Sequence, residues 1–299
     1  MTGDDQVDPG LSAIMSERRQ LINLAYRLLG SLADAEDVVQ ETYARWYAMS
    51  SREQAAIDVP GAWLTKVASR ICLDLLRSAR VRRERYVGEW IPEPLPENTD
   101  GRAGADPADR VTLDESVNMA FLVVLDSMTP AERVAFILHD VFRYPFPEVA
   151  EIVGRTPAAC RQLASSARRR LSDAQVPAPP TARRAELIRE FKQAWEATDI
   201  ATLVNLLDPD VTAVADGGGV VIAALEPVHG GANVAEYFTG LPILDYGRTL
   251  VERTVNGQPG LVIQYEGVTE TVIAFDIAGD RITNIWAIRN PEKLRPWTN

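Results

Sequence analysis

Residues 34–47 read DAEDVVQETYARWY, a stretch that predicts an amphipathic helix with an apolar face and an acidic face. The inner stripe, at helical spacing, consists of Val39, Thr42, Tyr43 and Trp46. The outer face is polar and mostly acidic, and its residues are Asp34, Glu36, Asp37, Gln40 and Glu41. Ser31 and Asp34 are spaced as in a capping box, with Asp in place of the usual Glu, so we expect the helix to begin just after Ser31.

Helices are also predicted on both sides of this stretch. Apolar residues repeat at helical spacing over residues 21–29, and Gly30 ends that run. Pro60 opens a long amphipathic helix with a basic side, and the basic run continues past its end. The basic residues of this segment are Lys66, Arg70, Arg77, Arg80, Arg82 and Arg83.

The composition changes between residues 88 and 112, which we interpret as a linker. Pro92, Pro94 and Pro96 alternate along the chain, so a helix is excluded and a stiff, extended backbone is favoured. Residues 98–109 then add Gly, Asp and Ala without periodicity.

A second helical block is predicted over residues 113–174. A short helix over 146–153, a turn at Gly154 and a basic helix after Thr156 together match a helix-turn-helix, whose second helix enters the major groove. The candidate DNA-contacting residues are Arg155, Thr156, Ala158, Arg161, Gln162, Ser165, Arg168 and Arg169. A generic three-helix packing unit is the alternative interpretation.

After a second Pro-rich linker at 175–182, residues 183–299 predict an α+β domain. Two helices come first, and a third is expected near 233–239. The predicted strands are 211–215, 220–225, 249–255, 261–265, 271–277 and 282–289. Asn256-Gly257 and residues 278–280 are hairpin signals, so we expect a curved antiparallel sheet.

The overall composition is that of a globular chain of 299 residues, 46% apolar and 24% charged. No apolar run approaches the ~18–20 residues of a membrane span, and residues 1–10 lack the features of a signal peptide. We therefore expect a soluble, reduced, cytoplasmic protein without a membrane partner. Two cysteines exclude a disulfide scaffold, and a zinc site would need the scattered Cys72, Cys160, His139 and His229 together. No cofactor or metal is expected.

Charge is distributed unevenly along the chain. The net charge of −11 alone would argue against nucleic acid as a partner. Residues 61–86, however, carry a net charge of +5, and residues 155–171 hold five arginines and no acid, whereas residues 87–116 carry −6. Such basic islands can contact phosphates locally while the acidic remainder avoids unspecific binding. Solvated helix surface is the alternative interpretation of the same charges.

In their order and spacing, these stretches resemble the extracytoplasmic-function (ECF) sigma factors of bacteria. Residues 34–43 resemble the polymerase-contacting helix of region 2, and residues 63–77, WLTKVASRICLDLLR, resemble the following helix, which reads and opens the −10 element. LDSMTPAER at 125–133, with the helix-turn-helix, resembles region 4, the reader of the −35 element. The resemblance covers about residues 11–173 and implies region 2 over 11–87 and region 4 over 113–174.

The C-terminal domain resembles the SnoaL-like, ketosteroid-isomerase-like cone that one subgroup of these sigma factors carries. The subgroup motifs WLPEP, DGGGK and NPDKL stand here as WIPEP at 90–94, DGGGV at 216–220 and NPEKL at 290–294. Ile for Leu and Glu for Asp keep the chemical class, but Val220 replaces a lysine. The resemblance implies a multidomain fold, two all-α sigma domains followed by an α+β cone.

The resemblance also implies partners and site residues. Core RNA polymerase would meet the acidic face of residues 34–41, and −10 DNA the six basic residues between Lys66 and Arg83. The chain's own tail would regulate it, so that no separate anti-sigma factor is expected. The regulatory contacts would be Trp90, Pro92, Pro94, Asp216, Gly217, Gly218, Gly219, Asn290, Pro291, Lys293 and Leu294.

Three other functions stay open from the residues alone. The cone could be an enzyme that uses Asp216, His229 or Asp276 as a general base and Tyr265 as an oxyanion donor. The same cone could sense a small molecule and pass the signal to the sigma domains. Lastly, the chain could be a plain helix-turn-helix regulator that binds duplex DNA without polymerase.

Overall fold

The computed structural model describes residues 9–83, 86–97, 117–173, 182–241 and 247–297, with side chains from residue 17 onward and not at 79–83 or 173. The chain forms two compact units. Of the described residues, the helical unit comprises 9–79 and 128–169. The α+β unit comprises the other described residues, and so includes residues 86–97, which lie between the predicted helical blocks.

The first part of the helical unit contains α1 (Pro9–Leu29), α2 (Leu32–Tyr47), α3 (Ser51–Ala55) and α4 (Pro60–Arg83). The Ser31 hydroxyl accepts a hydrogen bond from the Asp34 N–H at 3.2 Å, which confirms the predicted start of α2. Its apolar residues pack on α1, and Trp46 meets Trp63 of α4 edge to face, with the ring centroids 5.3 Å apart. The capping box of α3, between Ser50 and Glu53, was not predicted.

The second part of this unit is built from α6 (Pro130–Phe136), a π-helical turn (Ile137–Val141), α7 (Phe146–Val153) and α8 (Pro157–Asp173). Thr129 and Glu132 cap α6 reciprocally, as their spacing predicts. Gly154 ends α7 in the left-handed conformation with φ of 72°, so the predicted helix-turn-helix is confirmed. The buried guanidinium of Arg133 donates to the Leu28 carbonyl at 2.9 Å and joins this part to α1.

The α+β unit contains α5 (Met119–Asp126), three further helices and one sheet. The helices are α9 (Ala182–Glu196), α10 (Ile200–Leu206) and α11 (Gly231–Thr239). The strands are β1 (Leu207–Asp216), β2 (Val228–His229), β3 (Arg248–Val255), β4 (Gln258–Tyr265), β5 (Val268–Ala278) and β6 (Arg281–Ile288). Their order is β2-β1-β6-β5-β4-β3. The expectation of a wholly antiparallel sheet is wrong at one place, since β1 and β6, which no hairpin joins, pair in parallel.

The predicted strand over residues 220–225 is also wrong. Val220, Ile222 and Leu225 have the side chains of a strand, but they lie in an irregular loop and are 77%, 91% and 65% exposed. The loop begins as a tight turn, in which the Gly217 carbonyl accepts from the N–H groups of Val220 and Val221. Gly218 and Gly219 adopt φ of 67° and 71°, which favours glycine and prevents an extended backbone at this point.

The sheet is covered on both faces. Successive side chains of a strand point to opposite faces, so each strand serves two apolar clusters. The cluster on one face includes Phe191 and Trp195 of α9, Phe238 of α11 and Phe275 of β5. The cluster on the other face combines side chains from residues 86–97, from α5 and from the alternate positions of the strands. Its members include Ile91, Met119, Val262, Trp286, Ile288 and Leu294. The segment before α5 is therefore part of the core of this unit.

Asn256 holds two distant parts of that segment. It occupies the β3–β4 hairpin turn with φ of 49°, and Gly257 follows with φ of 74°, as the predicted Asn-Gly hairpin requires. Its buried side-chain amide accepts from the Leu95 N–H and donates to the Val117 carbonyl, both at 2.8 Å. Leu95 and Val117 are thus held side by side, and we call this arrangement the Asn256 clasp.

Asn256→Gly is expected to open the clasp while keeping the turn, because glycine accepts the same φ and lacks the amide. Two buried backbone groups then lose their partners, at about 1–3 kcal/mol each. Amide hydrogen exchange should show faster exchange at Leu95. Asn256→Asp is the comparison variant, since it keeps the acceptor for Leu95 but places an oxygen in front of the Val117 carbonyl in place of the donor. Unchanged protection of Leu95 in Asn256→Gly would contradict the clasp.

Candidate functional site

The acidic residues predicted on α2 share one exposed face. Asp34, Glu36, Asp37, Gln40 and Glu41 are all exposed. Val38 and Val39, on the opposite side of the same helix, are 1% exposed and belong to the core. Glu41 forms an exposed ion pair with Arg45 at 2.8 Å. The face therefore presents clustered carboxylates to solvent, suited to a basic partner surface.

Three of the predicted DNA-contacting cations of α4 have partners within the helical unit. The Lys66 Nζ lies 2.6 Å from a carboxylate oxygen of Glu151 on α7, and Arg70 donates to the Glu151 carbonyl at 3.0 Å. The hydrogen bond from Lys66 lowers the pKa of Glu151. Arg77 pairs with Asp74 at 3.2 Å. The side chains of Arg80, Arg82 and Arg83 lie outside the described residues.

The predicted reading helix, α8, is basic and exposed. Arg155, Thr156, Ala158, Arg161, Gln162, Arg168 and Arg169 are exposed, and Ser165 is half-buried. The Thr156 hydroxyl caps the helix by accepting from the Ala159 N–H. The Arg168 guanidinium donates two hydrogen bonds to the Asp140 carboxylate, at 2.6 and 3.3 Å. Arg77, Arg155 and Arg169 line one cleft of about 940 Å³, so cations from α4 and α8 face the same space.

A buried carboxylate organises the α+β unit. Asp216, at the end of β1, has no exposed surface and accepts four hydrogen bonds. The donors are the Tyr86 hydroxyl at 2.7 Å, the Ile91 N–H at 3.0 Å, the Gly218 N–H at 3.0 Å and the Lys293 Nζ at 2.6 Å. Two of these donors belong to the extended segment between α4 and α5. Asp216 therefore fixes that segment to the sheet.

Lys293 completes the cluster from the C-terminal side. It is 8% exposed, and besides its ion pair with Asp216 it donates to the Ile91 carbonyl. Its Nζ lies 4.2 Å from the centroid of the Trp90 ring and 5.5 Å from that of Tyr86, close enough for cation–π attraction. A lysine this deeply buried needs such partners, because an unpaired buried ammonium is costly.

Asn290, Gly218 and Gly219 form the remaining side of the cluster around Asp216. The Asn290 amide donates to the Tyr86 hydroxyl at 2.9 Å, and its oxygen accepts from the Glu292 N–H. A Cβ at Gly218 would lie 2.6 Å from the Asn290 amide, and one at Gly219 would lie 3.1 Å from Val87. Only glycine allows this approach at the observed positive φ.

The structure brings most of the predicted regulatory residues into this one site. Trp90, Asp216, Gly218, Gly219, Asn290 and Lys293 meet around the carboxylate, and Leu294 lies in the apolar cluster beside it. Pro92 is buried, the Pro94 carbonyl accepts from the Trp297 indole at 2.8 Å, Gly217 forms the turn, and Pro291 is exposed. Val220, 77% exposed, stands apart.

Three residues whose side chains bind the segment between α4 and α5, or belong to it, were not predicted from the sequence. They are Tyr86, Asn256 and Trp297. Tyr86 directly follows a run of arginines that dominates the local pattern, and the sequence marks Asn256 only as a turn residue. The signal for Trp297 is its place three residues beyond the NPEKL motif. Each contacts a partner distant in the chain, which periodicity does not reveal.

Comparison with known proteins decides the family. Residues 13–82 match the family model of Sigma-70 region 2, and residues 118–171 match that of Sigma-70 region 4. The chain is 39% identical to the ECF RNA polymerase sigma factor SigJ of Mycobacterium tuberculosis, across 93% of this chain and 90% of SigJ. This chain belongs to the family of ECF RNA polymerase sigma factors.

Two further comparisons agree with this assignment. The probable ECF RNA polymerase sigma factor SigI of Mycobacterium tuberculosis is 35% identical, with 97% of each chain covered. The crystal structure of SigJ superposes with a TM-score of 0.75 at 35% identity and covers 96% of this chain and 98% of that one. The expected architecture, helical sigma domains followed by an α+β domain, is therefore confirmed, as is the function of an ECF sigma factor.

Region 4 of this sigma factor is divided between the two compact units. The region 4 model begins at residue 118 and so includes α5, which packs on the sheet of the α+β unit through Met119 and Ala120. Helices α6 to α8 belong to the helical unit.

The residues considered for catalysis do not form one site in this sigma factor. The Asp216 carboxylate is already occupied by its four hydrogen bonds. Burial raises the pKa of Asp276, whose carboxylate accepts from the Asn284 amide. His229 is exposed beside Thr212, and Tyr265 is 39% exposed beneath Arg248. None of the four lines the cavity that the cone encloses.

Within the described part of the chain, no helix is long and apolar enough to cross a membrane. The described side chains also contain no group of three or more His, Cys, Asp or Glu arranged to hold a metal ion.

Lys293→Met and Asp216→Asn are each expected to destabilise the α+β unit by about 3 kcal/mol or more, because each leaves one buried charge unpaired. The double variant should lose less than the sum of the two, since neither charge remains. Denaturant unfolding and exchange of the Ile91 amide measure both effects.

The exposed pair Asp74–Arg77, 3.2 Å apart, is the matched control and should change stability far less. Additive losses at Asp216 and Lys293 would show that the pair is not coupled.

Proposed function

We propose that the C-terminal domain of this ECF sigma factor regulates promoter-directed initiation by holding the linker between regions 2 and 4. The observation that carries the proposal is the buried Asp216 carboxylate, which accepts two of its four hydrogen bonds from that linker. The domain thereby replaces a separate anti-sigma protein as the controlling element. Because polymerase and chromosome are its partners, it acts in the cytoplasm.

The acidic face of α2 is the proposed contact with core RNA polymerase. Its five polar residues are exposed, and the carboxylates stand on one side of a helix fixed to the core by Val38, Val39 and Trp46. A rigid, pre-arranged charged face steers association and specifies orientation.

The cations of α4 and α8 are the proposed contacts with the −10 and −35 elements. These elements are centred about 25 base pairs apart, which is about 85 Å along B-DNA at ~3.4 Å per pair. In the structure, Lys66 of α4 lies 2.6 Å from Glu151 of the helix-turn-helix, and Arg133 is buried against Leu28. Regions 2 and 4 must therefore separate before both contact one promoter.

The Asn256 clasp limits that separation. Residues 83 and 129 are joined by a chain that reaches roughly 150 Å when fully extended. While Leu95 and Val117 are held together, residues 96–116 add nothing to the distance that the chain can span between residues 83 and 129. The other residues of this stretch, with α5 folded, then span at most roughly 70 Å. The C-terminal domain thus sets how far apart the two DNA-reading regions can move, and loosening its hold on the linker favours the open form.

Asp37→Lys is expected to weaken binding to core polymerase at least tenfold, because it places a cation in the centre of the acidic face. Glu236→Lys, at an exposed acid of α11, makes the same charge change elsewhere and should leave binding unchanged. Affinity of the full-length protein for core enzyme is the measurement. Equal effects of the two variants would assign the loss to net charge alone.

Tyr86→Phe is expected to raise promoter-specific initiation up to roughly fivefold, since it removes a hydroxyl that bridges Asp216 and Asn290, a net contribution of about 1 kcal/mol. Run-off transcription with core polymerase and a randomised promoter pool measures it. Tyr265→Phe, with a hydroxyl away from the linker, is the control. A truncation after residue 174 is a less specific test of this site, because it also exposes Ile91 and Met119, which pack on the deleted sheet. Identical transcription by wild type and Tyr86→Phe would refute regulation through this site.

A further inference from the structure

The cone encloses a cavity on the face of the sheet opposite the linker. Its volume is about 210 Å³, somewhat below the ~300 Å³ at which pockets for drug-sized ligands begin. Trp195, Phe238, Leu241 and Ile263 supply its apolar wall. The space therefore suits one compact apolar body such as a single ring.

Among the described residues that line the cavity, the charged groups leave one positive charge. Arg248 and Glu270 neutralise each other through a contact of 2.6 Å between Nε and a carboxylate oxygen. Arg289 also lines the cavity, and its guanidinium donates to the Ile222 carbonyl. Among the described residues, Arg289 has no carboxylate partner. An unneutralised guanidinium beside an apolar wall favours a ligand with a carboxylate, which an arginine binds with two parallel hydrogen bonds.

Arg289 also connects the cavity to the linker site. Along the strand ends, Ala215 and Arg289 face the cavity, whereas the next residues, Asp216 and Asn290, face the linker. The N–H groups of Arg289 and Asn290 both donate to the Asp216 carbonyl, at 2.7 and 3.0 Å. Through the backbone, Arg289 is therefore joined to Asp216 and Asn290, the two residues that hold Tyr86.

A second connection runs through the loop after β1. The Ile222 carbonyl of this loop accepts a hydrogen bond from the Arg289 guanidinium. The same loop supplies Gly218, whose N–H binds Asp216, and Gly219, which packs on Val87. A ligand carboxylate that takes Arg289 from Ile222 releases this loop from one of its anchors.

We propose that this cavity binds a small organic carboxylate with a compact apolar body, its carboxylate on Arg289, and that binding loosens the hold of the C-terminal domain on the linker. The ligand class follows from the charge and size of the cavity. The effect on the linker rests on the proposed regulatory function, whereas the binding site does not.

The test titrates the full-length protein with benzoate, phenylacetate and cyclohexanecarboxylate by calorimetry, and with the corresponding amides as uncharged controls. At least one carboxylate should bind, and its amide and the Arg289→Gln variant should each weaken binding at least tenfold. Arg289→Lys keeps the charge but loses the two parallel hydrogen bonds, so it should weaken binding less than Arg289→Gln does. Arg253→Gln removes an exposed arginine of β3 outside the cavity and should bind as wild type.

Hydrogen exchange of the Ile91 amide, measured with and without the bound carboxylate, tests the connection to the linker. Faster exchange with ligand, and no change in Arg289→Gln, supports it. Failure of all three carboxylates to bind, or equal binding of acid and amide, overturns the site. Arg289-dependent binding with unchanged exchange at Ile91 overturns the coupling. Because neither measurement uses polymerase, these outcomes are separate from the transcription test of Tyr86→Phe.

Discussion

A buried carboxylate is stable only where donors surround it, and Asp216 meets this condition by drawing on three parts of the chain. The linker supplies the Tyr86 hydroxyl and the Ile91 N–H, the glycine turn supplies the Gly218 N–H, and the C-terminal motif supplies Lys293. Removing any of them leaves a charge or a polar group unsatisfied in the core. The linker is therefore a structural element of the C-terminal domain.

The alternation of side chains along β1 and β6 relates the two faces of the sheet. Ala215 and Arg289 line the cavity, and their neighbours Asp216 and Asn290 bind the linker. At the end of each of these strands, the residue that lines the cavity and the residue that binds the linker are therefore adjacent in the chain. The cavity wall on one face and the linker anchor on the other thus depend on the same stretch of backbone, and the proposed regulation uses this short distance.

Local chemistry made the helical half predictable from the sequence. The caps at Ser31 and Thr129, the turn at Gly154 and the apolar repeats of α2 and α8 all act within a few residues. The strand predicted at 220–225 was wrong, because strand-forming side chains need a neighbouring strand to pair with and this loop has none. The contact of Lys66 with Glu151, 85 positions away, had no signal in either stretch.

Asn256-Gly257 shows where local information ends. The dipeptide by itself determined a hairpin turn, since both residues tolerate positive φ. The helical repeat of residues 34–47 likewise determined the apolar and acidic faces of α2. Only the tertiary structure decided that the Asn256 amide binds Leu95 and Val117 and that the Asp216 carboxylate accepts from Tyr86 and Ile91. The physical reason is that a turn is set by the torsions of adjacent residues, whereas a hydrogen bond between distant segments exists only after packing has brought them together.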